Sequence, residues 1–98
     1  MQLTSERDGN KLTVSIEGRV DTTTAPELEK YILENTDGVT ELLLDLGEMS
    51  YTSSAGLRVL LKAHKLMSKQ GELMVTKVQS DVMEIFDMTG FSDILTIE

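Results

Sequence analysis

Cysteine is absent from these 98 residues, which excludes disulfides, thiolate metal sites and cysteine nucleophiles. That usage fits a reducing compartment. Histidine occurs once, at His64, so a transition-metal site would have to be built almost entirely from carboxylates. Proline also occurs once, which excludes a proline-rich linker. No apolar run is long enough to cross a bilayer, and the opening "MQLTSERDGN" lacks the basic-then-apolar pattern of an export signal. Positive charge is scarce: 9 lysines and arginines stand against 17 aspartates and glutamates, a net charge of −8. A surface of that sign repels phosphate backbones and anionic lipids, so neither nucleic acid nor a membrane is expected as a partner. The chain reads as one soluble, cytoplasmic domain over residues 1–98, long enough for one core.

The motifs of catalysis are missing as well. Residues 52 to 56 read Thr-Ser-Ser-Ala-Gly, which lacks the first glycine of a G-x-S-x-G nucleophile elbow. No G-x-x-x-x-G-K-[ST] or G-x-G-x-x-G stretch offers a phosphate cradle. His64 sits in a helical pattern between Ala63 and Lys65, where a half-exposed structural role is expected. No enzyme activity, cofactor or metal is anticipated.

Periodicity supplies the fold. Leu12, Val14 and Ile16 alternate with polar residues after an Asp8-Gly9-Asn10 turn, which predicts a hairpin with a weaker first strand. "TTTAPELEKYILENTDG" begins a helix: Thr24 as N-cap with Glu27 makes a capping box, Pro26 lies in the first turn, and Gly38 ends the element. "VTELLLDL" reads as a central strand buried on both faces, and "GEMSYTS" as a loop. A helix follows from about Ser54 to Gln70, closed by Gly71. "ELMVTKV" is a strand. "SDVMEIFDMTGF" is a helix that turns Val82, Ile85, Phe86 and Met88-Thr89 inward and stops at Gly90, and "DILTIE" is the last strand. The order β-β-α-β-α-β-α-β makes an α/β fold with a mostly parallel sheet and one antiparallel edge strand.

The helix from Ser54 carries the most information. Leu57, Leu60, Leu61, His64 and Met67 follow helical spacing, while Arg58, Lys62, Lys65 and Lys69 form an exposed row on another face. Four residues before Arg58 stands Ser54. Taken alone the row is a solvated helix face, and Ser54 an N-cap worth about 1 kcal/mol. A phosphate on Ser54 would add about −1.5 to −2 charge at the positive end of the helix, one turn from Arg58. It would change what a partner meets without unfolding the host.

Three stretches, "GRVDTTTAPELE", "LLLDLGEMSYTSSAGLRVLLKAHK" and "EIFDMTGFSDILTI", together resemble the STAS domain of bacterial anti-anti-sigma factors, the anti-sigma factor antagonists. The resemblance runs from about Leu12 to Ile97 and implies a small STAS-like α/β fold. It implies a protein that binds an anti-sigma factor, itself a serine kinase, and so releases a sigma factor. The kinase would phosphorylate a serine two residues before Gly56-Leu57, which is Ser54, and a phosphatase would reverse the switch. Asp21 matches a family acidic residue near that site, and Thr24 opens the helix beside it. Partner contacts would then fall on Asp21, Thr24, Ser53, Ser54, Arg58, Lys62 and Lys65. Two positions depart from the family pattern: Ser53 stands where many members have aspartate, and Arg58 where many have glycine. Ser53 is thereby an alternative acceptor. STAS domains also serve without phosphorylation, so an adaptor or nucleotide-binding signalling module is the alternative reading.

Overall fold

A computed structural model describes all residues from Met1 to Glu98. The opening hairpin pairs β1 (Gln2–Asp8) with β2 (Lys11–Val20) across a two-residue turn, Gly9-Asn10, in antiparallel register. Every later strand runs parallel to β2. The first half of β2 pairs with β3 (Glu41–Asp45), so that Leu12 lies beside Leu42 and Val14 beside Leu44. Its last residues pair with β4 (Met49–Thr52). β5 (Glu72–Thr76) extends the sheet beyond β3, and β6 (Thr96–Ile97) closes it, giving the order β1-β2-β3-β5-β6 with β4 beside β2.

Between the strands lie α1 (Ala25–Asn35), α2 (Ser54–Ser68), α3 (Ser80–Thr89) and the short α4 (Phe91–Ile94). Each parallel crossover moves in the same direction across the sheet. Since such crossovers are right-handed, all of them carry their helices to one face. The core follows from this. Leu12, Leu42 and Leu73 form one row across the strands and Val14, Leu44 and Val75 the next, all buried beneath the helices. Helix residues Leu28, Ile32, Leu57, Leu60, Met67, Val82 and Phe86 meet them in one apolar cluster. The intervening rows, Thr13-Leu43-Met74 and Ser15-Asp45-Thr76, point to the other face and are only half-buried.

Several sequence expectations change here. β3 is buried on one face and not on both, because no helix crosses to the second. The stretch read as the loop "GEMSYTS" contains β4; its burial runs in, out, out, in, because the register with β2 shifts between Gly18 and Arg19. Met49 faces Gly18 and Tyr51 faces Arg19, so Ser50 is an extra residue, a bulge that removes the period-two signal. Met88 and Thr89, expected inside, are both exposed, Met88 by 80%, while Val82 and Phe86 alone are fully buried in α3 and Gly90 stops it as expected. α2 ends at Ser68, and Gly71 closes it by donating its N–H to the Met67 carbonyl at 2.6 Å; a Cβ there would also overlap the carbonyl of Thr40. No helix is long and apolar enough to cross a membrane.

Gly56 fixes how closely α2 approaches the sheet. A Cβ at this position would overlap Thr52 Oγ1 and lie 2.9 Å from Val20 Cγ1, and both neighbours are buried. Gly56→Ala is therefore expected to destabilise the protein by about 1–3 kcal/mol through overpacking. Urea unfolding should show a lower midpoint with an unchanged slope.

Candidate functional site

Parallel βα units all turn from strand to helix at the same end of a sheet, and this gathers positive helix termini there. Val20, the last residue of β2, pairs with Thr52, the last residue of β4. The Ser53 N–H continues that pairing by donating to the Val20 carbonyl at 2.8 Å. The chain after β2, beginning at Asp21, thus lies beside the chain after β4, beginning at Ser53. Thr22 and Pro26 from the first segment share a surface cleft with Ala55 and Arg58 from the second. Positions far apart in sequence, Asp21, Thr24, Ser53, Ser54 and Arg58, are brought to one end of the molecule.

The two serines have different tasks. Ser53 has extended backbone angles and is the N-cap of α2: its Oγ accepts from the Ala55 N–H at 3.2 Å, and its carbonyl accepts from Leu57 at 3.1 Å. Ser54, read from the sequence as the cap, is the first helical residue instead. It is exposed, and its hydroxyl makes no hydrogen bond to the protein. The first turn of α2 has no acidic residue, so nothing on the helix offsets its positive end. Arg58 follows one turn later, also exposed and without an ion-pair partner.

The start of α1 departs from its expected geometry. The Thr24 side chain gives no cap to the helix that begins at Ala25, and the capping box with Glu27 does not form. The reciprocal pair lies three residues earlier. Asp21 Oδ1 accepts from the Thr24 N–H at 3.2 Å, and Thr24 Oγ1 accepts from the Asp21 N–H at 2.9 Å. The Asp21 carbonyl already takes a helical bond from Ala25 at 2.8 Å. A shorter acid at the first position suits this tight turn, because its carboxylate reaches back to the chain within three residues. Thr23 also donates to the same oxygen, by hydroxyl at 2.7 Å and by N–H at 3.0 Å. These bonds, first those of Thr23 and then that of the Thr24 N–H, hold the Asp21 carboxyl below the usual aspartate range.

The cationic row divides. Lys62 Nζ donates to Glu29 Oε1 of α1 at 2.7 Å and joins the two helices, whereas Arg58, Lys65 and Lys69 have no such partner. The sequence placed Lys62 among free cations because its partner lies 33 residues away on another helix. A second cation escaped notice: Arg19 stacks on the Tyr51 ring at 4.4 Å, across the bulged β2–β4 pair at the same end. Recognising β4 as a strand would have revealed that pair.

Comparisons with known proteins agree on a family. The model of the family described as STAS domain matches residues 2–98. BtrV of Bordetella bronchiseptica, provisionally named an anti-sigma factor antagonist, is 37% identical over 99% of this chain and 85% of its own. The anti-sigma-B factor antagonist of Listeria monocytogenes is 33% identical over 95% of this chain and 83% of its own. Among solved structures, an anti-sigma factor antagonist from Mycobacterium paratuberculosis superposes with a TM-score of 0.87 at 23% identity, covering 98% of this chain and 83% of that one. That likeness is one of fold.

Two stability measurements test this geometry. Ser53→Ala should lose about 1 kcal/mol with its cap, and Ser54→Ala should stay within about 0.5 kcal/mol of the parent. The reverse order would mean that Ser54 is the cap. For Asp21 the native state favours the ionised form, so its contribution is complete above the ordinary aspartate pKa. It is lost as pH falls through that value toward the lowered one. Asp21→Asn should thus be less stable than the parent at neutral pH. The gap in urea midpoint should narrow progressively as pH falls below about 4.

Proposed function

Because this chain belongs to the STAS domain family, we propose that it is an anti-sigma factor antagonist that binds an anti-sigma serine kinase and is switched off by phosphorylation of Ser54. The observation that carries the reading is the division of labour between the two serines. Ser53 holds the helix cap, and Ser54 presents an unbonded hydroxyl at a positive terminus with no acidic residue in its first turn. A kinase reaches Ser54 without dismantling the helix start, whereas modifying Ser53 would remove the cap acceptor. In this reading the kinase is the anti-sigma factor itself, and a phosphatase restores the free hydroxyl. The protein acts by occupancy and turns over no substrate of its own.

The energetics differ on the two sides of the interface. In the free protein a phosphate at Ser54 meets the positive helix end and Arg58, an interaction worth about 0.3–1 kcal/mol at an exposed site. Against a partner the same dianion must be desolvated where a neutral hydroxyl had been accommodated. Leaving a charge buried and unpaired at an interface costs about 2–5 kcal/mol. The second quantity exceeds the first in size and has the opposite sign, so the modification releases the partner while the fold persists. Arg58, in the place where many family members have glycine, strengthens the first contribution.

The test incubates this chain with ATP and an anti-sigma factor serine kinase. Mass spectrometry should place one phosphate on Ser54. The phosphorylated protein should bind at least about 30-fold more weakly, the equivalent of about 2 kcal/mol. Its melting temperature should not fall. Ser54→Ala should take up no phosphate and keep binding. Phosphate confined to Ser53, or a phosphoprotein that binds as tightly as its precursor, would remove Ser54 from this role.

A further inference from the structure

Beyond the serine end, α1 and α2 lie side by side and leave an open seam. Its floor is apolar: Ile32 from α1, and Val59 and Ala63 from α2, with Leu66 half-buried at the far end. On the α1 rim, Leu33 is 58% exposed, unusually open for so large an apolar side chain on this protein. Two clefts of about 160 and about 290 Å³ follow one another along the seam and share Glu29, Val59 and Lys62. The second of them reaches Ala55 and Arg58, next to Ser54. The Lys62–Glu29 pair crosses between the clefts, with Lys62 exposed and Glu29 half-buried.

We propose that this seam is a docking groove for an acidic amphipathic helix of a protein partner. From Arg58 to Leu66 the groove runs about 12 Å at the rise of an α-helix, which matches two turns of a guest with apolar anchors at i, i+3, i+4 and i+7. Charge chooses the guest. Helical spacing sets the rim on α2: Arg58 lines one cleft, and Lys65 and Lys69 follow it on the same helix face, all three exposed and without ion-pair partners on a chain whose net charge is −8. Acidic residues along one side of the guest would meet this rim, and one of them would compete with Glu29 for Lys62. A second copy of the same groove would set cations against cations. An anionic bilayer is repelled by the rest of the surface, and it is too flat to reach a floor recessed between two helices. The groove adjoins the proposed switch but does not require Ser54 to be an acceptor.

The probe is a side-chain-stapled helical peptide of about 14 residues, with leucines at the four anchor spacings and glutamates beside them. A twin carries lysines in place of the glutamates. Each is titrated into the ¹⁵N-labelled full chain while amide shifts are followed. The acidic peptide should shift amides of α1 and α2, Leu33, Ala63 and Leu66 among them, and bind at least about tenfold more tightly than its twin. Leu33→Glu and the double variant K65E/K69E should each weaken it at least about fivefold, with spectra that otherwise show the native fold. Raising NaCl from about 0.05 to about 0.5 M should weaken it too. Ser54→Ala should bind it unchanged, so the groove can stand or fall apart from the phosphoacceptor reading. Equal affinity for the two peptides overturns the proposal. So do shifts confined to the uncovered sheet face, or none at about 1 mM peptide. Phosphatidylglycerol vesicles engaging these same residues while the peptide does not would assign the seam to lipid instead.

Discussion

Each parallel crossover in this chain steps in the same direction across the sheet, from β2 past β3 and β5 to β6. Handedness then leaves no choice of face: every helix falls on one side, and every strand-to-helix turn on one end. The buried rows Leu12-Leu42-Leu73 and Val14-Leu44-Val75 exist because that side is covered. The polar row Ser15-Asp45-Thr76 exists because the other is not. The same winding brings the start of α1 beside the start of α2, and with it Asp21 beside the serines. The candidate site is thus a product of topology. It needs no long-range side-chain contact to assemble it, only two adjacent parallel strands that end in register at Val20 and Thr52.

Within that frame, local chemistry frees one of the two serines from structural duty. A helix start has several N–H groups to satisfy, and a lone serine would be drawn into the cap. Two serines in succession separate the tasks: Ser53 takes the bond from Ala55, and Ser54 is left to solvent. Asp21 does for α1 what Ser53 does for α2, with a carboxylate that accepts from Thr23 and Thr24. Both loops are therefore held by their own backbone amides. A rigid presentation of this kind allows a change of charge to alter binding without first altering the host.

Signals confined to one element were legible in the sequence. The alternation of Leu12, Val14 and Ile16, the 3.6-residue stripe from Leu57 to Met67 and the stop at Gly90 all appear in the structure as expected. What escaped depended on a second element. β4 was hidden because its bulge at Ser50 breaks the alternation, and only pairing with β2 makes it a strand. The capping box was read one turn too late. Thr24 and Glu27 fit the spacing, yet Asp21 competes for the same amide and holds it with a shorter side chain. Met88 fits the apolar pattern of α3, but α3 covers the sheet with the Val82 and Phe86 side of its surface, and Met88 faces solvent. Lys62 looked free because Glu29 is distant in sequence. At the serines the residue types pointed to the right turn, and backbone geometry alone decided which of the two is the cap.

The distribution of charge connects the proposed switch with the proposed groove. A protein of net charge −8 repels most acidic partners at long range, so an acidic guest needs a local reason to approach. Arg58, Lys65 and Lys69 supply one, since no carboxylate of the chain neutralises them. Their reach is short, about 8–10 Å at ordinary salt, and that confines the attraction to α2 and its neighbours. A phosphate at Ser54 would fall within that distance of Arg58, one helical turn away. It would draw on the same cation that an acidic guest uses at the near end of the groove. Phosphorylation would then act twice on a partner spanning both regions: it would place a dianion at the contact and cancel part of the field that attracted the guest. A partner held only along the far groove, by Leu33, Leu66 and Lys69, would feel the second effect weakly and the first not at all. The position of a partner along α2, more than its total buried area, would therefore decide how strongly a phosphate on Ser54 controls it.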